Sequence, residues 1–223
     1  MTKSEAFLEC RCGSCRITLC DPNMRYRCEC LCCDCRQRGL ISASKRIGNE
    51  LPMAVAAYER GIDSVYFSNA LLVDQKSRDL LDFFMLREDS DSRTAISSCC
   101  GTLMCSSHPL GEGCSIIVNA DNCRVTVPNI IDTQSLFWGS DFPSEKYKTR
   151  LKRDQIPKVF SPYDEVDAEP MIAAVTAVSA PIAEQYMRDG VTTFEALCAG
   201  KTITVDNSFF YESRMGKPGA TIN

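Results

Sequence analysis

The chain has 223 residues, of which 44% are hydrophobic and 24% are charged, so a sizeable core can form without disulfide staples. A net charge of −4 and a pI of about 5.2 exclude the domain-wide basic footprint of a nucleic-acid-binding protein. The start, MTKSEAFLEC, has no signal-peptide pattern, and no apolar run reaches the ~18 residues that a membrane span needs. We therefore expect a cytoplasmic protein with no nucleic-acid or membrane partner, and we interpret the short basic patch KYKTRLKR (146–153) as a solvated face.

The first third of the chain predicts a strand pair followed by a loop. Residues 7–19 alternate in polarity and are interrupted at CGSC, where Gly13 permits a tight turn. The segment that then runs to Gly39 is rich in cysteine and has little apolar content. We expect it to be a loop that is ordered by metal.

The middle of the chain predicts further strands. Residues 53–67 and 80–87 are rich in β-branched and aromatic residues, and REDSDSR (87–93) is a polar turn. SIIVN and CRVTV, between residues 115 and 127, predict a hairpin around ADN. Short strands with polar turns favour a mainly β fold that is mostly antiparallel.

The character of the sequence changes after Pro157. A helix is predicted from Glu169–Pro170 to Gly190, with a break or kink at Pro181. TTFEALCAG predicts a second short helix, and TITVDNSFFYES a strand. We therefore predict two regions, a β domain over residues 1–157 and an α+β extension over residues 158–223, which packs on the core or at a homo-oligomer interface.

Cysteine is the most informative residue type. There are 15, and those outside two clusters are interpreted as small buried hydrophobes. The clusters contain Cys10, Cys12, Cys15, Cys20, Cys28, Cys30, Cys32, Cys33 and Cys35, and then Cys99, Cys100 and Cys105. Repeated Cys-x-Cys and Cys-x-x-Cys spacings in a reducing compartment are typical of tetrahedral zinc sites. The single histidine, His108, excludes sites that use two histidines, and a thioredoxin-type pair or a metallothionein-like store fits the flanking sequence less well.

Three motifs resemble, in the same order, those of the family of glutathione-dependent formaldehyde-activating enzymes and centromere protein V. They are CRCG (10–13), CLCCDCR (30–36) and CCGTL (99–103), and the resemblance covers residues 6–130. It implies a β-tent of small antiparallel sheets that carries two zinc sites. One would be structural and have four thiolates, and the other would be reactive and have three.

Carried over residue by residue, the resemblance assigns the reactive zinc to Cys30, Cys32 and Cys35, which are the catalytic candidates. It assigns Cys10, Cys12 and Cys100 to the structural zinc. The family pattern C-x-x-C-G has its first cysteine where this chain has Ser97. The missing thiolate would come from Cys99, Cys105 or Cys15, or the site is altered or lost, and we include Cys99 among the metal-ligand candidates.

A zinc ion with three thiolates keeps a fourth position open, and this position suits another thiol, whose pKa the metal lowers. Arg36 and Arg38 are candidates to bind a substrate carboxylate, with solvated surface as the alternative. The extra thiols Cys28 and Cys33 could close the site. Cys28 is the more serious candidate, because Cys33 adjoins Cys32 and neighbouring residues cannot easily bind one ion.

The resemblance implies a zinc-dependent carbon–sulfur lyase that acts on a small thiol adduct. The family activity is formation or breakdown of S-(hydroxymethyl)glutathione from glutathione and formaldehyde. Two alternatives stay open. One is a non-catalytic zinc-binding β-tent that mediates protein interaction, and the other is a divergent enzyme for another sulfur-containing metabolite.

Overall fold

The computed structural model describes residues 6–47, 61–137, 158–159 and 168–206. Thirteen strands and four α-helices lie in these ranges. The strands are β1 (Phe7–Glu9), β2 (Arg16–Leu19), β3 (Met24–Cys30), β4 (Ile62–Ser68), β5 (Leu71–Leu72), β6 (Leu81–Met85), β7 (Thr94–Ser97), β8 (Leu103–Ser106), β9 (Ser115–Asn119), β10 (Arg124–Thr126), β11 (Ser135–Phe137), β12 (Lys158–Val159) and β13 (Ile203–Val205). The helices are α1 (Cys33–Ile47), α2 (Gln75–Asp79), α3 (Ala168–Val178) and α4 (Phe194–Cys198).

The strands form two sheets, so the described residues are mainly β as predicted. A four-stranded antiparallel sheet has the order β10-β1-β2-β5, and a nine-stranded sheet has the order β12-β11-β3-β4-β9-β8-β7-β6-β13. The larger sheet is mixed, because β11 runs parallel to β3 and to β12, and β13 runs parallel to β6. The β-tent itself stays a prediction.

The first strand pair is confirmed. β1 and β2 are antiparallel, with Leu8 opposite Ile17, and both of these side chains are fully buried. The predicted strand at 80–87 is β6, the turn after it is also present, and the part of the predicted strand at 53–60 lies outside the described residues. The basic patch at 146–153 lies outside them too.

Two local predictions are wrong. SIIVN and CRVTV do not form a hairpin, because β9 pairs with β4 and β8 while β10 crosses to the small sheet and pairs with β1. The cysteine-rich segment is not a loop, since β3 occupies residues 24–30 and α1 begins at Cys33. In β3 the buried side chains Tyr26, Cys28 and Cys30 alternate with polar ones, which is the ordinary period of a half-buried strand.

The C-terminal residues that the structure describes join the same core. The predicted long helix ends at Val178, before Pro181 and well before Gly190, and the second helix is α4. Phe194 of α4 is fully buried and packs edge-to-face on Phe83 of β6, with ring centroids 5.9 Å apart. The domain boundary predicted at 157–158 stays a prediction. None of the helices in the described ranges has the length and apolarity needed to cross a bilayer.

Candidate metal centres

The first cysteine group is built by two turns, one from each sheet. The turn between β1 and β2 carries Cys10 and Cys12, and Gly13 follows them with φ of 77°. The turn between β7 and β8 carries Cys99 and Cys100, and Gly101 follows them with φ of 64°. Positive φ is costly for any residue with a Cβ, so glycine lets both turns close tightly behind their thiols.

The four thiols of this group have the spacing of a tetrahedral sulfur site. The Sγ atom of Cys99 lies 3.4 Å from that of Cys12, 3.7 Å from that of Cys10 and 4.0 Å from that of Cys100, and Cys10 and Cys12 are 3.5 Å apart. Zn–S bonds near 2.3 Å at tetrahedral angles require sulfur–sulfur distances of about 3.8 Å. The group could therefore bind a metal ion through all four sulfur atoms.

Hydrogen bonds around the first group favour thiolates at particular corners. The backbone N–H of Cys15 donates to Cys10 Sγ over 3.2 Å, but burial outweighs this bond and raises the pKa of Cys10. Burial opposes ionisation of the Cys100 thiol, but hydrogen bonds with Ser97 and Thr102 outweigh it and lower the pKa of Cys100 to about 6. Burial raises the pKa of Cys99 to about 12, so a cation is needed to hold all four as thiolates together.

Ser97 lies next to the first group, and Cys99 provides the fourth thiol, which the resemblance of the motifs did not identify. The Ser97 hydroxyl accepts a hydrogen bond from the Thr102 N–H and lies 3.4 Å from Cys100 Sγ. Of the other candidates, Cys15 directs its thiol to the carbonyl of Ser77, and Cys105 is buried in the core. Neighbouring cysteines thus do share one group here, contrary to the difficulty expected for adjacent residues.

The second cysteine group is local, at the junction between β3 and α1. Cys30 ends β3, Cys32 precedes the helix, and Cys35 lies in its first turn, with all three Sγ atoms within 4.8 Å of one another. The Sγ atoms of Cys30 and Cys32 are 3.3 Å apart, and the backbone N–H of Cys35 donates to Cys32 Sγ. Thiolates at the N-terminus of a helix are favoured by its dipole.

Without a cation these three thiols oppose one another's ionisation. Hydrogen bonds with Cys32 and Cys35, together with burial, hold the pKa of Cys30 well above its ordinary value. A bound soft cation would instead favour the ionised thiolates, because it takes the place of the protons on the sulfur atoms. The second group could therefore also bind a metal ion.

Neither of the extra cysteines completes the second group. Cys28 lies one pleat before Cys30 on the same face of β3, where it is fully buried against Tyr26, Ala174 and Val178. The Cys33 thiol is directed to the carboxylate of Asp34, at 3.6 Å. Within the described residues, no fourth cysteine, histidine or carboxylate joins the three thiols within 4.8 Å.

A cavity of about 120 Å³ opens beside the three-cysteine group, and all three cysteines line it. Its wall is largely apolar. The apolar part consists of Leu110, Ile117, Phe137, Ala174 and Val178. The three thiols therefore adjoin a partly open space that a small molecule could enter.

The two predicted substrate-binding arginines differ in position. Both are buried, Arg36 with 2% and Arg38 with 5% of its surface exposed, so the alternative of solvated surface is wrong. Arg38 lines the cavity, whereas Arg36 is not part of its lining. Asp34 also lines the cavity, but Arg87 binds both of its oxygens, at 2.9 and 3.1 Å.

Two further side chains of the cavity were not among the predicted site residues. Tyr66 lies on β4, and burial holds the pKa of its hydroxyl well above 10, so it stays protonated. The Nδ1 atom of His108 accepts a hydrogen bond from the backbone N–H of Leu110 at 3.1 Å, which places the proton of the neutral ring on Nε2. His108 is the only histidine, a signal that could have marked it, but Tyr66 has no such signal.

Comparison of the chain with protein-family models, curated proteins and solved structures gave no match in any of the three. The resemblance of the three motifs therefore stays a prediction. The two cysteine groups and the cavity that adjoins one of them are the features that indicate a function.

Proposed function

We propose that this chain is a zinc-dependent enzyme of thiol–aldehyde chemistry, a carbon–sulfur lyase that forms or breaks the adduct of a small thiol with an aldehyde. One observation carries the proposal. The three-cysteine group adjoins a partly open cavity with a largely apolar wall and has no fourth ligand among the described residues, whereas the other group has four thiols. Closed sites with four protein ligands are structural, and catalytic sites keep one position open.

The donor sets fit zinc. Both groups consist only of thiols, and soft sulfur ligands favour zinc over magnesium, calcium or manganese. Cys10, Cys12, Cys99 and Cys100 would hold a structural ion, and Cys30, Cys32 and Cys35 a reactive one. When bound there, zinc would supply an open coordination position and would lower the pKa of a substrate thiol.

The residues of the chain would provide the rest of the chemistry. In the breakdown direction, the hydroxyl proton of a thiohemiacetal leaves, a C=O bond forms, and the electrons of the C–S bond go to sulfur. In the forward direction the thiolate attacks the aldehyde carbon and the oxygen gains a proton. His108 lines the cavity, and the apolar part of the cavity wall would limit competition from water.

The proposal is tested with a matched pair of neighbouring cysteines. Cys32 belongs to the three-cysteine group, whereas Cys33 is buried beside it but outside it. We expect two zinc ions per chain in protein purified anaerobically, one in Cys32→Ser and two in Cys33→Ser. Circular dichroism should show that both variants stay folded.

Activity is measured as exchange between free formaldehyde and its thiol adduct, followed by NMR. We expect Cys32→Ser to lose this activity and Cys33→Ser to keep it. Full activity in Cys32→Ser would refute the assignment. Bound zinc at both groups with no exchange for any thiol would favour the non-catalytic binding module instead.

A further inference from the structure

We infer that the cavity selects short thiols in which only one or two methylene groups separate the carboxylate from the sulfur, such as mercaptoacetate and 3-mercaptopropionate. This inference rests on the proposed function, since it names the thiol that the three-cysteine centre accepts. It differs from glutathione, the thiol that the sequence resemblance implies. Cavity size, the position of one buried arginine and the charges beside it support it.

The size of the cavity limits how much of a ligand can lie inside it. A volume of about 120 Å³ is slightly below the ~150 Å³ of an engineered cavity that holds benzene, so roughly six non-hydrogen atoms can enter. Mercaptoacetate and 3-mercaptopropionate are of this size. A tripeptide is several times larger and would have to leave most of its atoms outside.

The position of Arg38 sets where a carboxylate must lie. Cys35 and Arg38 are three residues apart in α1, so their side chains share one face of the helix with Cβ atoms about 5–6 Å apart. Both line the cavity. A ligand with only a short carbon chain could therefore place its sulfur at the cysteines and its carboxylate near Arg38. In glutathione the cysteine carboxyl is an amide, and the free carboxylates are farther from the sulfur.

The charges around Arg38 leave it able to bind an anion. Its side chain is 5% exposed, and its Nε atom has no hydrogen-bond partner among the described residues. Asp34 is an acidic neighbour of Arg38, but both of its oxygens are bound by Arg87. A buried guanidinium donor that is not satisfied by protein is costly, and a ligand carboxylate would satisfy it with a charge-assisted bond.

Helix α3 contributes two residues to the wall of the cavity. Ala174 and Val178 line it, and both are almost fully buried. They belong to the C-terminal part of the chain, for which the sequence resemblance implies no counterpart. This helix would therefore restrict the site to small thiols.

The test uses protein with cobalt(II) in place of zinc, because a thiol that binds cobalt changes its visible spectrum. Mercaptoacetate is compared with 2-mercaptoethanol, 3-mercaptopropionate with 3-mercapto-1-propanol, and each with glutathione. We expect each carboxylate to bind at least about tenfold tighter than its neutral match, the ratio for one charge-assisted hydrogen bond, and glutathione to bind more weakly than both. Cobalt at Cys10, Cys12, Cys99 and Cys100 should not respond to any thiol.

Variants of Arg38 separate the preference for carboxylates from the binding of thiols as such. Arg38→Gln should remove the preference for carboxylates while neutral thiols still bind, and Arg38→Lys should keep part of it. Arg188→Gln, at an exposed position outside the cavity lining, is the control and should bind like the wild type. The ligand comparison in the wild-type protein decides the matter even if Arg38→Gln fails to fold.

The outcomes are distinguishable. If neutral thiols and glutathione bind as tightly as the short carboxylates, the inference is wrong and the proposed function stands. If no thiol changes the cobalt spectrum of the three-cysteine site, the proposed function is wrong and the inference fails with it.

Discussion

Replacement of Cys99 by serine should selectively weaken the four-thiol centre. The structure places Cys99 Sγ between 3.4 and 4.0 Å from the other three sulfurs, which is the range a shared zinc ion requires. Serine at this position would offer a neutral hydroxyl in place of a thiolate. The same substitution at Cys114, which is half-buried and outside both groups, should leave metal binding unchanged.

The expected size of the effect follows from ligand loss. Loss of partners that only support a ligand costs 10–100-fold in affinity, so loss of the ligand itself should cost at least about 100-fold. This corresponds to about 2.7 kcal/mol, and by linkage the same amount is lost from stability at a fixed free zinc concentration. For a chain of this length the melting temperature should fall by roughly 5–10 °C.

The assay is zinc titration against a competing chelator, together with thermal unfolding at buffered free zinc. A second substitution provides a rescue. Ser97 Oγ lies 3.4 Å from Cys100 Sγ, so Ser97→Cys in the Cys99→Ser background returns a thiol to the same turn and should recover most of the affinity. Wild-type affinity in Cys99→Ser alone would show that Cys99 is not a ligand.

Two further predictions concern the core. Phe194→Ala should lower the free energy of unfolding, measured by chemical denaturation, by about 3–5 kcal/mol, because a fully buried ring that packs on Phe83 is lost. Met187→Ala, at a half-exposed position, is the control and should change it by under about 0.5 kcal/mol. Equal effects of the two substitutions would contradict the packing of α4. Burial raises the pKa of Cys123 to about 12, from a value near 9 in the unfolded chain. The folded state therefore holds this proton more tightly, and the resulting stability is fully present below pH 9 and is lost as the pH rises toward 12. Between pH 8 and 10, wild type should therefore lose about 1.4 kcal/mol more than Cys123→Ala, and parallel pH profiles would contradict this.

The fold was predictable where side-chain alternation was read as burial. The β1–β2 pair follows from this alternation, and β6 follows from its aromatic and apolar composition. β3 was not predicted because its buried positions include Cys28 and Cys30, which the sequence analysis treats as a possible and an assigned metal ligand rather than as apolar residues of a strand. The hairpin after Ser115 was wrong because pairing between sheets is decided by partners far along the chain, and Leu8, opposite Val125, is such a partner.

The candidate site was predictable in its thiols but not in its cavity. Cysteine spacing indicated metal sites, the resemblance of the motifs implied which cysteines form each group, and the structure brings those cysteines together, with Cys99 as the fourth member of the first group. The sequence could not decide between Cys99, Cys105 and Cys15, because that choice depends on which side of a turn each thiol faces. Tyr66 and Ala174 reach the cavity from β4 and α3, and no local pattern links these positions to Cys30.

The topology itself assigns different roles to the two centres. A metal at the four-thiol centre would join turns of the two sheets whose cysteines are 87 to 90 positions apart, whereas the three-cysteine centre spans only residues 30 to 35. Because the entropy of closing a loop grows with the logarithm of its length, a crosslink at the first centre should stabilise the fold by roughly 2.5 kcal/mol more than one at the second. The first centre is therefore the one that fits a structural ion. The second centre has little to contribute to stability, and its adjoining cavity and buried arginine support the proposal that it binds a ligand.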